Sequence, residues 1–332
     1  MKVLFIGGTG TISSACSQLA LEQGIDLYLF NRGLSARPVP KGAKVINGNI
    51  RDLASTRKAL GDQHFDVVVN WVNYTLDQVE TDFSLFQNRT SQYVFISSAS
   101  AYQSPPSHQP VDESTILDNP YWQYSRDKIA CEEFLVRVYR QEKFPITIVR
   151  PSHTYDCRLL PFEGGWTVVD RMLKGKQVIV HGDGASIWTL THHQDFARGF
   201  NALLGNSKAI GETVQITSDE WLTWNQIFEA VASAAGVKAD LVHVPSDLIN
   251  AYDPEWGAGL LGDKTHSMMF DNAKIKRLAP GFFASIPFSV GAKEIVNWYL
   301  ADPSRQKVDE TFNQTCERIL LAYSKAWPQT AG

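Results

Sequence analysis

An α/β fold, with a doubly wound parallel sheet and a smaller C-terminal α/β lobe, is what this sequence predicts, and three observations predict it. Short runs rich in β-branched residues alternate with helical stretches through the first half of the chain. Those runs are mostly apolar throughout, as expected for strands covered on both faces. A glycine-rich turn joins the first run directly to the first helical stretch, the kind of junction at which open α/β sheets gather ligands.

The strands are read in order as "KVLFI" (2–6), "DLYLF" (26–30), "AKVIN" (43–47), "DVVVN" (66–70), "YVFIS" (93–97) and "ITIVR" (146–150). Alternation with helices implies parallel strands and right-handed crossovers. The first helix is "SSACSQLALEQG" (13–24), and residues 71–92 leave room for one helix between the fourth and fifth strands. "YWQYSRDKIACEE" (121–133) reads as the first turns of a helix ahead of the sixth strand. After Pro151 the texture changes: "PFEGGW", "HGDGA" and "DPEWGAG" are turn-rich, with helices expected at 223–236, 292–303 and an amphipathic 310–327. These segments form a smaller lobe closing over the first.

Composition narrows the function. The chain is 332 residues long, 44% hydrophobic, with a formal net charge of −4 and no Lys/Arg block, which offers no grip for a nucleic-acid backbone or an anionic membrane. Four scattered cysteines form no C-x-x-C pair, so neither a disulfide framework nor a zinc pattern is present. The absence of an apolar run near the ~18 residues that span a bilayer points to a cytoplasmic protein without membrane partners.

"FIGGTGTIS" (5–13) carries the first candidate site. Gly7 and Gly10 allow a tight turn and close approach of a pyrophosphate. Thr9, Thr11 and Ile12 complete the loop and open the helix, whose free N–H groups and dipole favour the anion. The third small position is Ser13. The second strand ends in Asn31 and Arg32, where an acidic residue would bond the ribose 2′-hydroxyl of NAD; an Arg instead suits a 2′-phosphate. NADP is therefore expected, with NAD as the alternative, and Ser35 and Arg37 as further contacts.

Tyr124 and Lys128, four residues apart, share a helical face. A phenol is a weak acid and base at neutral pH, and a neighbouring ammonium lowers its pKa toward the range of proton-transfer catalysis. "FISSASAY" (95–102) ends the fifth strand at the same sheet edge, where a serine hydroxyl can bond the reacting oxygen.

Together the glycine loop, the serine run and the Tyr124/Lys128 pair resemble the short-chain dehydrogenase/reductase superfamily, in its extended NAD-dependent epimerase/dehydratase branch. The resemblance covers most of the chain and implies a Rossmann-type nucleotide domain at 1–156, re-entered at about 189–216. The substrate lobe is then 157–188 and 217–332. It assigns Ser98 as the catalytic hydroxyl beside Tyr124 and Lys128. "VINGNIRD" (45–52) is similar to the loop flanking adenine, which brings in Asn49 and Ile50. "RPSHTYD" (150–156) resembles the loop near the nicotinamide, with Pro151 and His153. "GDGASIWTLTHHQDFARGF" (182–200) resembles the re-entry segment, which Asp195 tethers. A homodimer through the helices around Tyr124 is also implied.

Departures from the pattern shape the substrate. Ala99 and Ser100 stand where sugar-nucleotide dehydratases carry Asp-Glu, and Trp188 where UDP-sugar epimerases often carry a phosphate-binding Arg. A carbohydrate-like alcohol or ketone without a nucleotide is expected, touched by Trp188 and Ser100. His192, His193 and Asp195 lack a ligand spacing, so no metal is expected. The rival is a non-catalytic nucleotide- or RNA-binding protein similar to chloroplast stem-loop-binding relatives.

Overall fold

The chain, described over residues 1–327 of a computed structural model, forms strands where the apolar runs place them. These are β1 (Lys2–Ile6), β2 (Asp26–Asn31), β3 (Lys44–Asn47), β4 (Val67–Asn70), β5 (Tyr93–Ile96) and β6 (Ile146–Pro151). Short strands follow: β7 (His153–Tyr155), β8 (Gln177–His181), β9 (Ile187–Trp188), β10 (Leu190–His192), β11 (Thr213–Ile216), β12 (Leu222–Thr223) and β13 (Asp240–Val244). The main sheet runs β11-β6-β5-β4-β1-β2-β3 with every pairing parallel. The order reverses beside β1, so the loops after β1 and β4 splay apart there and leave a crevice at the carboxyl edge.

Helices α1 (Thr11–Glu22), α2 (Leu53–Leu60), α3 (Leu76–Phe86), α4 (Gln123–Glu142), α5 (Trp166–Leu173) and α6 (His193–Asn201) come first. The rest are α7 (Trp224–Ala234), α8 (Ser246–Tyr252), α9 (Pro254–Gly259), α10 (Ala273–Leu278), α11 (Phe288–Leu300) and α12 (Glu310–Ala326). Side chains alternate across β1: Val3 and Phe5 pack with α1 and α6, while Leu4 and Ile6 pack with α2, α3 and α4. That two-sided burial is why the strands read as unbroken apolar runs.

Segment 189–216 supplies α6, whose Phe196 and Phe200 sit in the α1-side core, and β11, which extends the sheet beyond β6. A second return, at α10, places Ile275, Ala279 and Phe282 in that same core; periodicity gave no sign of it in so short a segment. The remaining C-terminal elements close around their own core, where Trp166, Trp188, Trp224 and Phe288 are buried. Asp195, fully buried, accepts from the backbone N–H groups of Ser285 (3.1 Å) and Ile286 (2.9 Å), so it tethers the returning segment as read. Among the described residues no group of metal-binding side chains assembles, and no helix is long and apolar enough to cross a membrane.

Candidate active site

The crevice beside β1 is a cleft of about 630 Å³. Gly7, Thr9, Gly10, Asn31, Arg32, Asn49 and Ile50 line it, which brings together one cluster of sequence-predicted residues. Gly7 and Gly8 adopt φ of 100° and 99°, where side chains are strained. A Cβ on Gly8 would stand 2.7 Å from Leu29 Cδ2. Ser13 does more than pack, since its hydroxyl accepts the Gly10 N–H at 2.8 Å and ties the loop to the helix. Thr11 and Ile12 do not line the cleft. They begin α1 and leave its first N–H groups without intrahelical partners.

Asn31 accepts the Gly33 N–H at 3.0 Å, forming a turn that leaves Arg32 exposed at the cleft. Arg37 corrects the sequence reading. Instead of reaching for a 2′-phosphate, it forms an ion pair with the buried carboxylate of Asp156 and donates to Thr11 Oγ1 at 3.3 Å. Releasing Arg37 would leave the buried Asp156 carboxylate without its counter-charge. Ser35 stays at the cleft.

The candidate reaction pocket, about 340 Å³, is lined by Ser98, Ser100, Tyr124, Pro151, His153 and Trp188. Tyr74 lines the nucleotide cleft and its ring centroid is 6.4 Å from that of Tyr124, which joins the two spaces. Ser98 Oγ is 2.9 Å from Ser100 Oγ, and Ser125 Oγ donates to Ser100 Oγ at 2.9 Å. Ser100 thus fixes the Ser98 rotamer from below besides facing the pocket.

Lys128 is buried, and its ammonium donates to the carbonyls of Asn73 (2.6 Å) and Ile96 (2.8 Å). It lies 4.8 Å from the Tyr74 ring, 4.9 Å from Phe95 and 5.7 Å from Tyr124. Burial pushes its pKa down to about 8. The expected effect on Tyr124 is reversed: burial pushes the phenol up to about 12, with only the Ser98 hydroxyl acting strongly against it. The helical spacing does bring the ammonium to the ring, but two of its three N–H groups are committed to backbone carbonyls, and desolvation wins.

His153 and Trp188 form one unit. The Trp188 indole N–H donates to His153 Nδ1 at 3.3 Å, which leaves the proton of the neutral ring on Nε2. Burial pushes His153 down to about 3, so the ring stays uncharged.

Sequence reasoning missed the support beneath Lys128. Asp82, on α3, accepts from Asn70 (2.6 Å), Asn73 (2.8 Å) and Tyr93 (2.7 Å), and Arg51 donates to Asn73 Oδ1 at 2.9 Å. This buried network fixes Asn73, whose carbonyl holds Lys128. An acid at an otherwise apolar position of α3 was the available signal. Asp263, in the reaction pocket, was missed as well.

The cleft fits a dinucleotide by its glycine turn, by the bare amides of α1, and by Trp71, whose buried indole N–H has no acceptor in the described protein. A model of the NAD dependent epimerase/dehydratase family matches residues 3–217. A 2'-dehydrokanamycin reductase of Streptomyces kanamyceticus is 24% identical over 294 residues, 85% of this chain and 80% of that protein. The chloroplast stem-loop binding protein of 41 kDa b of Arabidopsis thaliana is 26% identical over 257 residues, 73% of this chain and 65% of that protein. Among solved structures, the UDP-glucose 4-epimerase from Bifidobacterium longum, in complex with NAD+ and UDP, superposes with a TM-score of 0.74. It covers 91% of this chain and 99% of its own at 19% identity, a likeness of fold. The family match spans well over half the sequence and includes the glycine turn, Ser98, Tyr124 and Lys128, so the chain belongs to the NAD dependent epimerase/dehydratase family.

Proposed function

We propose that this protein is an NADP-preferring oxidoreductase that interconverts a hydroxyl and a keto group on a carbohydrate-like molecule. The observation that carries the reading is the meeting of Ser98 and Tyr124 in one pocket, with Lys128 buried beneath them and the nucleotide cleft next door. Bound in that cleft, a nicotinamide supplies or accepts hydride. Gly7, Gly10 and the α1 amides would hold its pyrophosphate, Arg32 would meet a 2′-phosphate, and Asn49 and Ile50 would flank the adenine. Pro151 and His153 would border the reacting end.

Ser98 Oγ donates to the substrate oxygen and holds it beside Tyr124. Tyr124 Oη then gives that oxygen a proton during reduction, or removes one during oxidation. A phenol pushed up to about 12 rests protonated at neutral pH, the form that gives its proton when a ketone is reduced. Lys128 keeps the floor of the pocket charged and ordered through Asn73 and Ile96. The reductase from Streptomyces kanamyceticus, named for 2'-dehydrokanamycin, supports a keto-glycoside as the substrate class.

The test is a screen of keto sugars and keto glycosides for NADPH consumption, followed on the nicotinamide absorbance band. Turnover that Tyr124→Phe abolishes while NADPH affinity is kept supports the assignment. Full activity in that variant on an accepted substrate overturns it.

The Arabidopsis relative gives a second reading, stem-loop binding. The acidic balance and the assembled Ser98/Tyr124/Lys128 set count against it. A salt-sensitive gel shift with a structured RNA at modest protein concentration would favour it instead.

A further inference from the structure

A second cavity, about 320 Å³, opens in the C-terminal lobe behind the reaction pocket. Trp122 and Lys264 line both spaces, so the two meet at these residues. Its walls are aromatic: Phe162 stacks on Phe228 at 4.6 Å, and Trp256 meets Phe312 at 5.0 Å. The charged groups at this cavity are mostly carboxylates or already paired. Glu163 and Glu255 are exposed where they line it, and Arg171 is tied to Glu317 (2.8 Å), Asn313 (2.6 Å) and the Gln177 carbonyl (2.8 Å). Among the described lining residues a diphosphate would find no free guanidinium, and the remaining cation, Lys264, stands at the junction beside the Asp263 carboxylate.

The junction itself is built to stay in place. The Lys264 carbonyl accepts from the Trp224 indole (3.1 Å), His181 (3.0 Å) and Ser186 (3.3 Å). Asn119 donates to the Gly262 carbonyl (2.6 Å) and the Ser100 carbonyl (2.9 Å), locking this turn to the loop that carries Ser98. The turn, Leu260–Lys264, is a single stretch of π-helix, a geometry that recurs at functional sites. It presents Asp263 to the reaction pocket, where the nearest cationic atom among the described residues is Lys264 Nζ at 3.7 Å. A carboxylate and an ammonium side by side accept from one hydroxyl and donate to the next, as adjacent hydroxyls on a sugar ring require.

We propose that the substrate has two parts. One is a sugar ring over Ser98 and Tyr124, gripped by Asp263 and Lys264; the other is an uncharged planar or second-ring group stacked in the aromatic cavity beyond Trp122. The substrate class is therefore a neutral glycoside rather than a nucleotide sugar. This rests on the carbohydrate reading above and extends it to the group attached to the sugar.

The test measures binding to the full chain saturated with NADP, by calorimetry. The probes are matched pairs of methyl and phenyl glycosides of glucose, galactose, mannose and N-acetylglucosamine. In at least one pair the phenyl member is expected to bind ~10-fold or more tightly, from apolar burial alone. Trp256→Leu, or Val178→Phe filling the cavity, should erase that preference and keep the methyl affinity. Asp263→Asn should weaken both members by about 10-fold. Equal affinity within every pair overturns the second subsite, whether or not the variants fold, and leaves the oxidoreductase reading to its own test with Tyr124→Phe. Failure of every glycoside to bind overturns the substrate class proposed here, while NADPH turnover on keto compounds still decides the oxidoreductase reading.

Discussion

The nucleotide cleft is walled largely by main chain and short loops at the ends of β1, β2 and β3, whereas the reaction pocket is assembled from side chains on α4, the β5 loop, β7, β9 and the turn at 260–264. The first is a backbone site, set by local sequence that follows each strand directly. The second is a side-chain site, set by how two lobes pack. Backbone sites fail when the main chain is strained, and side-chain sites fail when one polar atom is removed. The two halves should therefore respond differently to substitution.

The largest separation is expected from Tyr124→Phe. It removes one oxygen from the reaction pocket and should lower turnover ~10³-fold, within the range for a general acid. NADPH affinity should stay within about two-fold of the parent. A parallel loss of both would mean that the two halves do not act separately. Gly8→Ala breaks the other half. Its Cβ would lie 2.7 Å from Leu29 Cδ2 at a φ of 99°, so strain of about 1–3 kcal/mol is expected. Thermal melts and cofactor titration should both fall, and an unchanged melting temperature would show that the turn relaxes freely. Smaller again is Arg32→Ala. It should weaken NADPH about 10-fold and leave NADH unaffected, the size of one charge-assisted contact at an exposed site. Equal loss for both cofactors would remove the 2′-phosphate role.

The same contrast explains what was legible beforehand. Strands β1 to β6 could be read because two-sided burial writes itself as apolar runs, and the turn at Gly7–Gly10 because its geometry demands particular residues in a row. Ser98, Tyr124 and Lys128 were legible as a pattern, but the direction of the Tyr124 shift was not, since it depends on burial beneath a lobe far along the chain. Arg37 was assigned to the cofactor because its partner, Asp156, is 119 residues away. Asp82 and Asp263 escaped for a related reason. The acid on the apolar face of α3 marks Asp82 as buried but does not name its three donors, and nothing next to Asp263 in sequence reveals that it faces the phenol.

The smallest effect tests how finely the side-chain half is tuned. Trp188→Phe keeps an aromatic wall but deletes the N–H that His153 Nδ1 accepts. At neutral pH this should cost about 1 kcal/mol, one hydrogen bond to a buried acceptor. The cost should also depend on pH. His153 is held near 3 when folded, against about 6.5 in an unfolded chain. Acidification below about 6.5 therefore protonates the unfolded state first and removes stability from the parent. In the parent, the indole N–H aimed at Nδ1 also opposes a proton there. Without it His153 accepts that proton more readily, its folded pKa rises, and the variant loses less stability on acidification. The two denaturation curves should thus run parallel from pH 6.5 to about 4.5 and converge only as the pH falls further toward 3, by chemical unfolding. A gap that stays constant down to about pH 3 would show that the indole does not control the histidine's protonation.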